Sequence, residues 1–326
     1  MNTTIDGTAQ LEHHIGPTGR FSLKVPSGSV TIRGIDGDVA RIRDLTGRAL
    51  ADRFSIDAGT GHLSLEGKTR FGLGIQISLR SSDEELEIEV PRSANVAIDT
   101  ASADVEATGL AGPKRFKTAS GEMTLVDVAG ELEVEAVSGD VTITANDRID
   151  ARVRTISGDL GLRAPSLARL EAGTTSGDFL LDAELSGTGP FSVRSISGDM
   201  TIVSRGAFSI EAQTITGDLV TALEHRMSSA PGRKTLVIGR DGPTLQFKSV
   251  SGDLLIVEPR DAAAQAATPQ GATPQAATPS GSDVAPASEP TDIAAARLEV
   301  LRALERGDLS VDAATERLAA LEAPVA

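Results

Sequence analysis

Between Leu132 and Ile256 the apolar residues fall on alternate positions, and a short polar tripeptide resets the alternation at nearly constant intervals. Leu132, Val134 and Ala136 precede one such tripeptide, and Val141 and Ile143 follow it. The same pattern recurs in Phe191 and Val193, Leu160 and Leu162, Met200 and Ile202, and Leu254 and Ile256. A period of two means strands with one buried face. The parity changes across the tripeptide, so the chain must turn there, and glycine supplies the backbone freedom.

The tripeptide is Ser-Gly-Asp or a close variant. Its glycines are Gly121, Gly139, Gly158, Gly177, Gly198, Gly217 and Gly252, and a degenerate Ser102-Ala103-Asp104 precedes them. The first positions, 102, 120, 138, 157, 176, 197, 216 and 251, step by 18 to 21 residues and then once by 35. A fixed period of about 19 residues marks a solenoid. It is too short for helical crossovers, so each unit reads as strand, corner, strand, second corner. The predicted fold is all-β: a parallel β-solenoid like a single-stranded β-helix, with coils stacked about 4.8 Å apart. "EHRMSSAPGRK" (224–234) inside the long step reads as an exposed excursion.

The flanks follow other rules. Residues 1–14 carry no strand periodicity and are expected to be disordered, and 15–97 to form an N-terminal β cap with irregular first coils ahead of the repeat solenoid at 98–258. Within the cap, the apolar run 70–82 is expected to be a capping strand or a partner-binding edge. Pro259 cannot donate to a further ladder and is expected to mark the end of the stack. Residues 259–290 contain "AATPQGATPQAATPS", the composition of a disordered linker. Residues 291–323 then predict a small α-helical hairpin, with Thr291 or Asp292 and Ser310 as N-caps and Gly307 as a stop. Its apolar residues Leu298, Leu301, Leu304, Leu309, Leu318 and Leu321 are the candidate partner-binding face, for an unknown protein or for self-association, because so small a unit needs something to dock on.

Composition narrows the function. The 326 residues include 31 basic and 46 acidic side chains, a net charge of −15, which disfavours nucleic acid and anionic membranes. Eight Phe and no Trp or Tyr suit a core of stacked small branched side chains better than a sugar-binding platform. With no cysteine there is no thiolate metal site or Cys nucleophile. No stretch reads as a membrane span or a secretory signal, so the expected location is cytoplasmic, with surface association by a non-classical route as the alternative.

Candidate chemistry is sparse. Asp140, Asp159, Asp178, Asp199, Asp218 and Asp253 should fall in one column. The simplest role is structural, each carboxylate accepting from the N–H groups of its own turn. The alternatives are a divalent-cation column or a carboxylate pair for glycoside cleavage. His13-His14 reads as an exposed pair in a disordered terminus, and "GHLSLEGKT" (61–69) as strand, since its glycine spacing misses that of a phosphate loop. No catalytic residue and no cofactor is predicted.

"PSGSVTIRGIDGDVARIR" (26–43), "EVPRSANVAIDTASADVEATGLAG" (89–112), the Ser-Gly-Asp coils and "RDGPTLQFKSVSGDLLIV" (240–257) together resemble the bacterial putative-adhesin β-solenoid family of unknown function, which includes YvlB- and LiaX-like proteins. "LEVLRALERGDLSVDAATERLAAL" (298–321) is similar to a helical hairpin carried by some members, usually at the other terminus. The resemblance implies an adhesin-like label and a link to envelope stress, and brings no catalytic residues. The expected function is therefore a non-enzymatic scaffold or interaction protein. A polymer-forming, bactofilin-like solenoid and a polysaccharide-binding or -cleaving β-helix are the alternatives.

Overall fold

The computed structural model describes residues 4–5, 9–68, 84–221, 223–230, 233–238 and 242–259. The chain divides into two compact units, Met1–Pro269 and Gln270–Ala326, and all described residues belong to the first. The segment 70–82, the linker beyond Pro259 and the predicted hairpin lie outside the described residues.

Alternating apolar residues build two parallel ladders, joined at each coil by the Ser-Gly-Asp corner. After the corner, Met123, Val141, Leu160, Phe179, Met200 and Leu254 stack in register. Before it, Leu132, Ala151, Leu170, Phe191 and Leu245 do the same. These side chains point inward and are buried. The core is thus a set of columns shared by all coils, each buried large side chain adding roughly 1.5–3 kcal/mol of transfer free energy. The seven Phe within the described residues, Phe21, Phe54, Phe116, Phe179, Phe191, Phe208 and Phe247, are all buried in it. Few rings suffice because the columns are narrow.

The repeat begins earlier than its motif. Arg20–Ile35 pairs in parallel with Asn95–Thr108, with Gly28 opposite Ala103 in the corner column. It is therefore a regular coil, not part of an irregular cap. Residues 1–14 also depart from expectation. Thr4–Ile5 and Gln10–His14 are strands, and Leu11 is buried in the core, its neighbours alternating outward.

Order in space differs from order in sequence at both ends. Arg20–Ile35 lies between Asn95–Thr108 on one side and His62–Gly67 with Glu85–Pro91 on the other. At the far end, Thr244–Ser251 and Leu254–Val257 insert between Phe191–Ser197 with Met200–Ser204 and Phe208–Thr216 with Leu219–Thr221. The 35-residue step is the path of that detour. Pro259 thus follows the penultimate coil, not the terminal one. Antiparallel strands cover the outer coils: Gln10–His14, Val39–Asp44 and Phe54–Gly59 at one end, and the hairpin His225–Ala230/Arg233–Ile238 on Phe208–Thr216 at the other. The expected excursion at 224–234 is largely this hairpin.

The corner glycines carry two constraints. Their φ angles run from 111° to 153° from Gly28 to Gly252, a region costly for any residue with a Cβ. A Cβ at Gly158 would also sit 2.3 Å from the Gly139 carbonyl oxygen of the preceding coil. Inside the corner, Thr118, Thr155 and Thr174 donate to the carbonyls of Ser120, Ser157 and Ser176 at 2.9, 3.3 and 3.1 Å. Gly161 is different: it lies one residue into the strand Leu160–Ser176, past the corner, and a Cβ there meets nothing within 4 Å.

Lys114 breaks the apolar rule. It stands between Val96 and Leu132 in a core column, is 4% exposed, and donates to the Ala129 carbonyl at 2.5 Å. Burial pulls its ammonium from 10.5 down to about 8.

Gly158→Ala should cost at least about 2 kcal/mol and lower the melting temperature by roughly 4–8 °C, while Gly161→Ala should leave it nearly unchanged; differential scanning calorimetry checks the contrast. Because the folded chain binds the Lys114 proton more weakly than the unfolded chain does, this group makes stability rise with pH from about 8 to 10.5. Lys114→Met should remove that rise and stabilise the protein at pH 7 by up to about 3 kcal/mol, measured by urea unfolding.

Candidate functional site

The six aspartates expected in one column are in one column, at the exposed start of the post-corner ladder. Their bonding differs from expectation. Five of the six carboxylates accept from the backbone N–H of the next coil, not from their own turns, and Asp218, on the last coil of the row, only donates. Asp140, Asp159, Asp178, Asp199 and Asp253 accept through Oδ1 from Asp159, Asp178, Asp199, Asp253 and Asp218, every bond 2.8 Å long. Asp104 accepts from Glu122 in the same way at 2.9 Å. The physical reason is the corner's shape: the stack, rather than the turn itself, brings an N–H within reach of the short side chain.

This row faces a groove of about 680 Å³ along the outer surface of the post-corner ladder. Thr142, Gly161, Leu180 and Thr201 make its floor, one residue per coil. Arg163, Asp182, Val203 and Arg205 make the far wall, opposite the aspartates. Arg205 is paired with Asp182, and Val203 is buried. The bare floor at Gly161 lies between Thr142 and Leu180. The second carboxylate oxygens stay unbonded among the described residues, so the rim is anionic and repeats once per coil. Like charges at that spacing repel by roughly 1 kcal/mol per pair in a water-like medium, which the charge-assisted N–H bonds offset.

Among the described residues no three His, Asp or Glu side chains converge as a metal would require. The histidines lie elsewhere. His13, expected to be exposed, is buried, with Nε2 2.8 Å from the Gly59 carbonyl, and His14 pairs with Asp38 at 2.6 Å. Both serve the N-terminal cover. The strand His62–Gly67 confirms the phosphate-loop look-alike as a ladder strand.

A buried ion cluster has no counterpart in the sequence reading. Arg53 bridges Asp44, at 3.3 Å, and Glu84. Burial pushes the Glu84 carboxyl up, and Arg53 opposes the shift. Its members lie 9 and 31 residues apart from Arg53, so no spacing could reveal them. The Glu84 carbonyl also accepts from Ser29 N at 2.6 Å, which ties the outermost coil to Arg20–Ile35.

A family model described as Toastrack DUF4097 matches residues 17–257, the span of the described coils. The chain belongs to the Toastrack DUF4097 family. No curated protein matches it. Among solved structures, a "putative adhesin" from Bacteroides fragilis is 12% identical with a TM-score of 0.43, covering 77% of this chain and 97% of its own. A "putative lipid binding protein" from Parabacteroides distasonis is 10% identical with a TM-score of 0.37, covering 77% and 97%. A "putative cell adhesion protein" from Clostridium sporogenes is 11% identical with a TM-score of 0.27, covering 77% and 99%. Toastrack membership agrees with the repeat solenoid, and none of the described helices is long and apolar enough to cross a membrane.

The aspartate row yields a sharp prediction. Asp178→Ala removes the acceptor for Asp199 N–H and should cost about 1 kcal/mol. Asp178→Asn keeps an acceptor and removes a charge, so it should be at least as stable as the parent at low ionic strength. The carboxamide and carboxylate forms should converge in 0.5 M salt, where the Debye length is about a third of its value at 0.05 M and the repulsion along the row is screened. Thermal melts at both salts check it.

Proposed function

We propose that this Toastrack protein is a non-enzymatic, adhesin-like scaffold whose stacked coils present side-chain rows to a partner. One observation carries the reading: the side chain repeated most regularly on the outside, the corner aspartate, is engaged in holding coil to coil. The repeat is thus built to make a regular surface, and the groove beside it varies from coil to coil as a recognition surface does. In this reading the C-terminal segment bearing Leu298, Leu301, Leu304, Leu309, Leu318 and Leu321 is the recruiting module, and the physiological setting is the response to envelope stress.

The polymer reading is less favoured, because antiparallel strands cover both strands of the coil at one end and Phe208–Thr216 of the coil at the other, where end-to-end stacking would need open parallel edges. The test is an affinity pull-down from bacterial lysate with the full chain and with a chain ending at Pro259. The expected result is a protein partner retained by the full chain and lost with the tail. A catalytic turnover abolished by Asp178→Asn would overturn the scaffold reading.

A further inference from the structure

Eight large apolar side chains are exposed among the described residues, and four of them, Val137, Ile156, Ile196 and Val250, form one column. They are 49%, 52%, 53% and 46% exposed. Each immediately precedes a corner serine, and those serines are in register: Ser138 with Ser157, Ser157 with Ser176, Ser176 with Ser197, Ser197 with Ser251. Thr175 is the fifth member and the middle one. In stacking order its five central members read Val137, Ile156, Thr175, Ile196, Val250, the same in both directions, and the column continues through Ala119 beside Val137 and Ile215 beside Val250.

We propose that this column is an isologous interface, and that its occupant is the same column of a second copy of the chain, running antiparallel about a two-fold axis at Thr175. A two-fold contact requires a self-complementary surface. Here Thr175 meets Thr175, Ile156 meets Ile196 and Val137 meets Val250. Register is automatic, because both copies repeat at the same coil spacing of about 4.8 Å. All five side chains are β-branched and stiff, so little rotamer entropy is lost on contact. The neighbouring outward column, two residues earlier, accommodates the approach. At its centre is Gly173, where an added Cβ would meet only the Arg194 carbonyl oxygen at 3.9 Å. On either side, Glu135 faces Lys248 across the axis, while Arg154 faces Arg194. That like-charged pair opposes association, and the ridge is narrow, so the dimer belongs to the weak class of interfaces. The ridge is separate from the groove beside the aspartates, and its occupancy does not depend on the scaffold reading.

The chain has no cysteine, which makes the register directly readable. In the full chain, Thr175→Cys should form a disulfide-linked dimer on mild oxidation. Ile156→Cys should not link to itself, because the two copies of residue 156 are offset by two coils, about 9.6 Å, beyond disulfide reach. Mixed with Ile196→Cys, it should give the heterodimer. Sedimentation velocity of the unmodified chain should show a concentration-dependent dimer, weakened about tenfold or more by Ile156→Asp at unchanged melting temperature. A chain that stays monomeric, a dimer indifferent to Ile156→Asp, absence of the Thr175→Cys link, or self-linking of Ile156→Cys as efficient as that of Thr175→Cys would each overturn the proposal.

Discussion

Everything in this structure rests on how closely one coil's corner approaches the next. The carbonyl oxygen of one corner glycine lies where the Cβ of the next would be, 2.1–2.3 Å away from Gly139 to Gly252. That contact sets the axial step at the corner, and the step in turn sets the registers of both ladders. It also decides the partner of each aspartate. With the corners this close, an Oδ1 reaches the N–H of the following coil, so a side chain that would cap its own turn elsewhere becomes a tie between turns. Glycine and aspartate are therefore two parts of one device: the first permits the approach and the second fastens it.

Much of the surface charge follows from the same stacking. The acidic row is the outward remainder of the ties. On the other ladder, stacking places Glu135 beside Arg115 and Lys117, and Glu171 beside Arg152, which hold both carboxyls below the usual range. These pairs are exposed and individually weak, and their effect is to suppress like-charge columns where no backbone tie compensates them. The net charge of −15 thus has a spatial distribution that composition cannot show.

What the sequence disclosed was the local and repeated. Ser157-Gly158-Asp159 is legible because the turn chemistry and the alternation around it agree. Ser27-Gly28-Ser29 makes the same corner without the aspartate and far off the period, so Arg20–Ile35 read as an irregular cap although it is a regular coil. Lys114 was hidden because a charge at a strand start reads as exposed, and only the three-dimensional column places it between Val96 and Leu132. The Arg53 cluster depends on contacts between distant segments. The insertion of Leu254–Val257 was invisible for a different reason: an apolar strand on this period fits equally well against any coil, so periodicity fixes the coil and not its neighbours. The groove is legible only in its rim, since Gly161 and Arg205 acquire meaning from residues one coil away.

That insertion has a mechanical meaning. The described chain leaves the stack through Val257, from a coil held by neighbours on both sides. A pull on the tail therefore does not meet a loose end that peels one row at a time. It meets two ladders together, and the load is shared between the terminal coil and the interior coil on either side of the exit strand. The outermost coil, Phe208–Thr216 with Leu219–Thr221, acts as a bracket laid over the strands from which the chain departs, clamping them against the coil below.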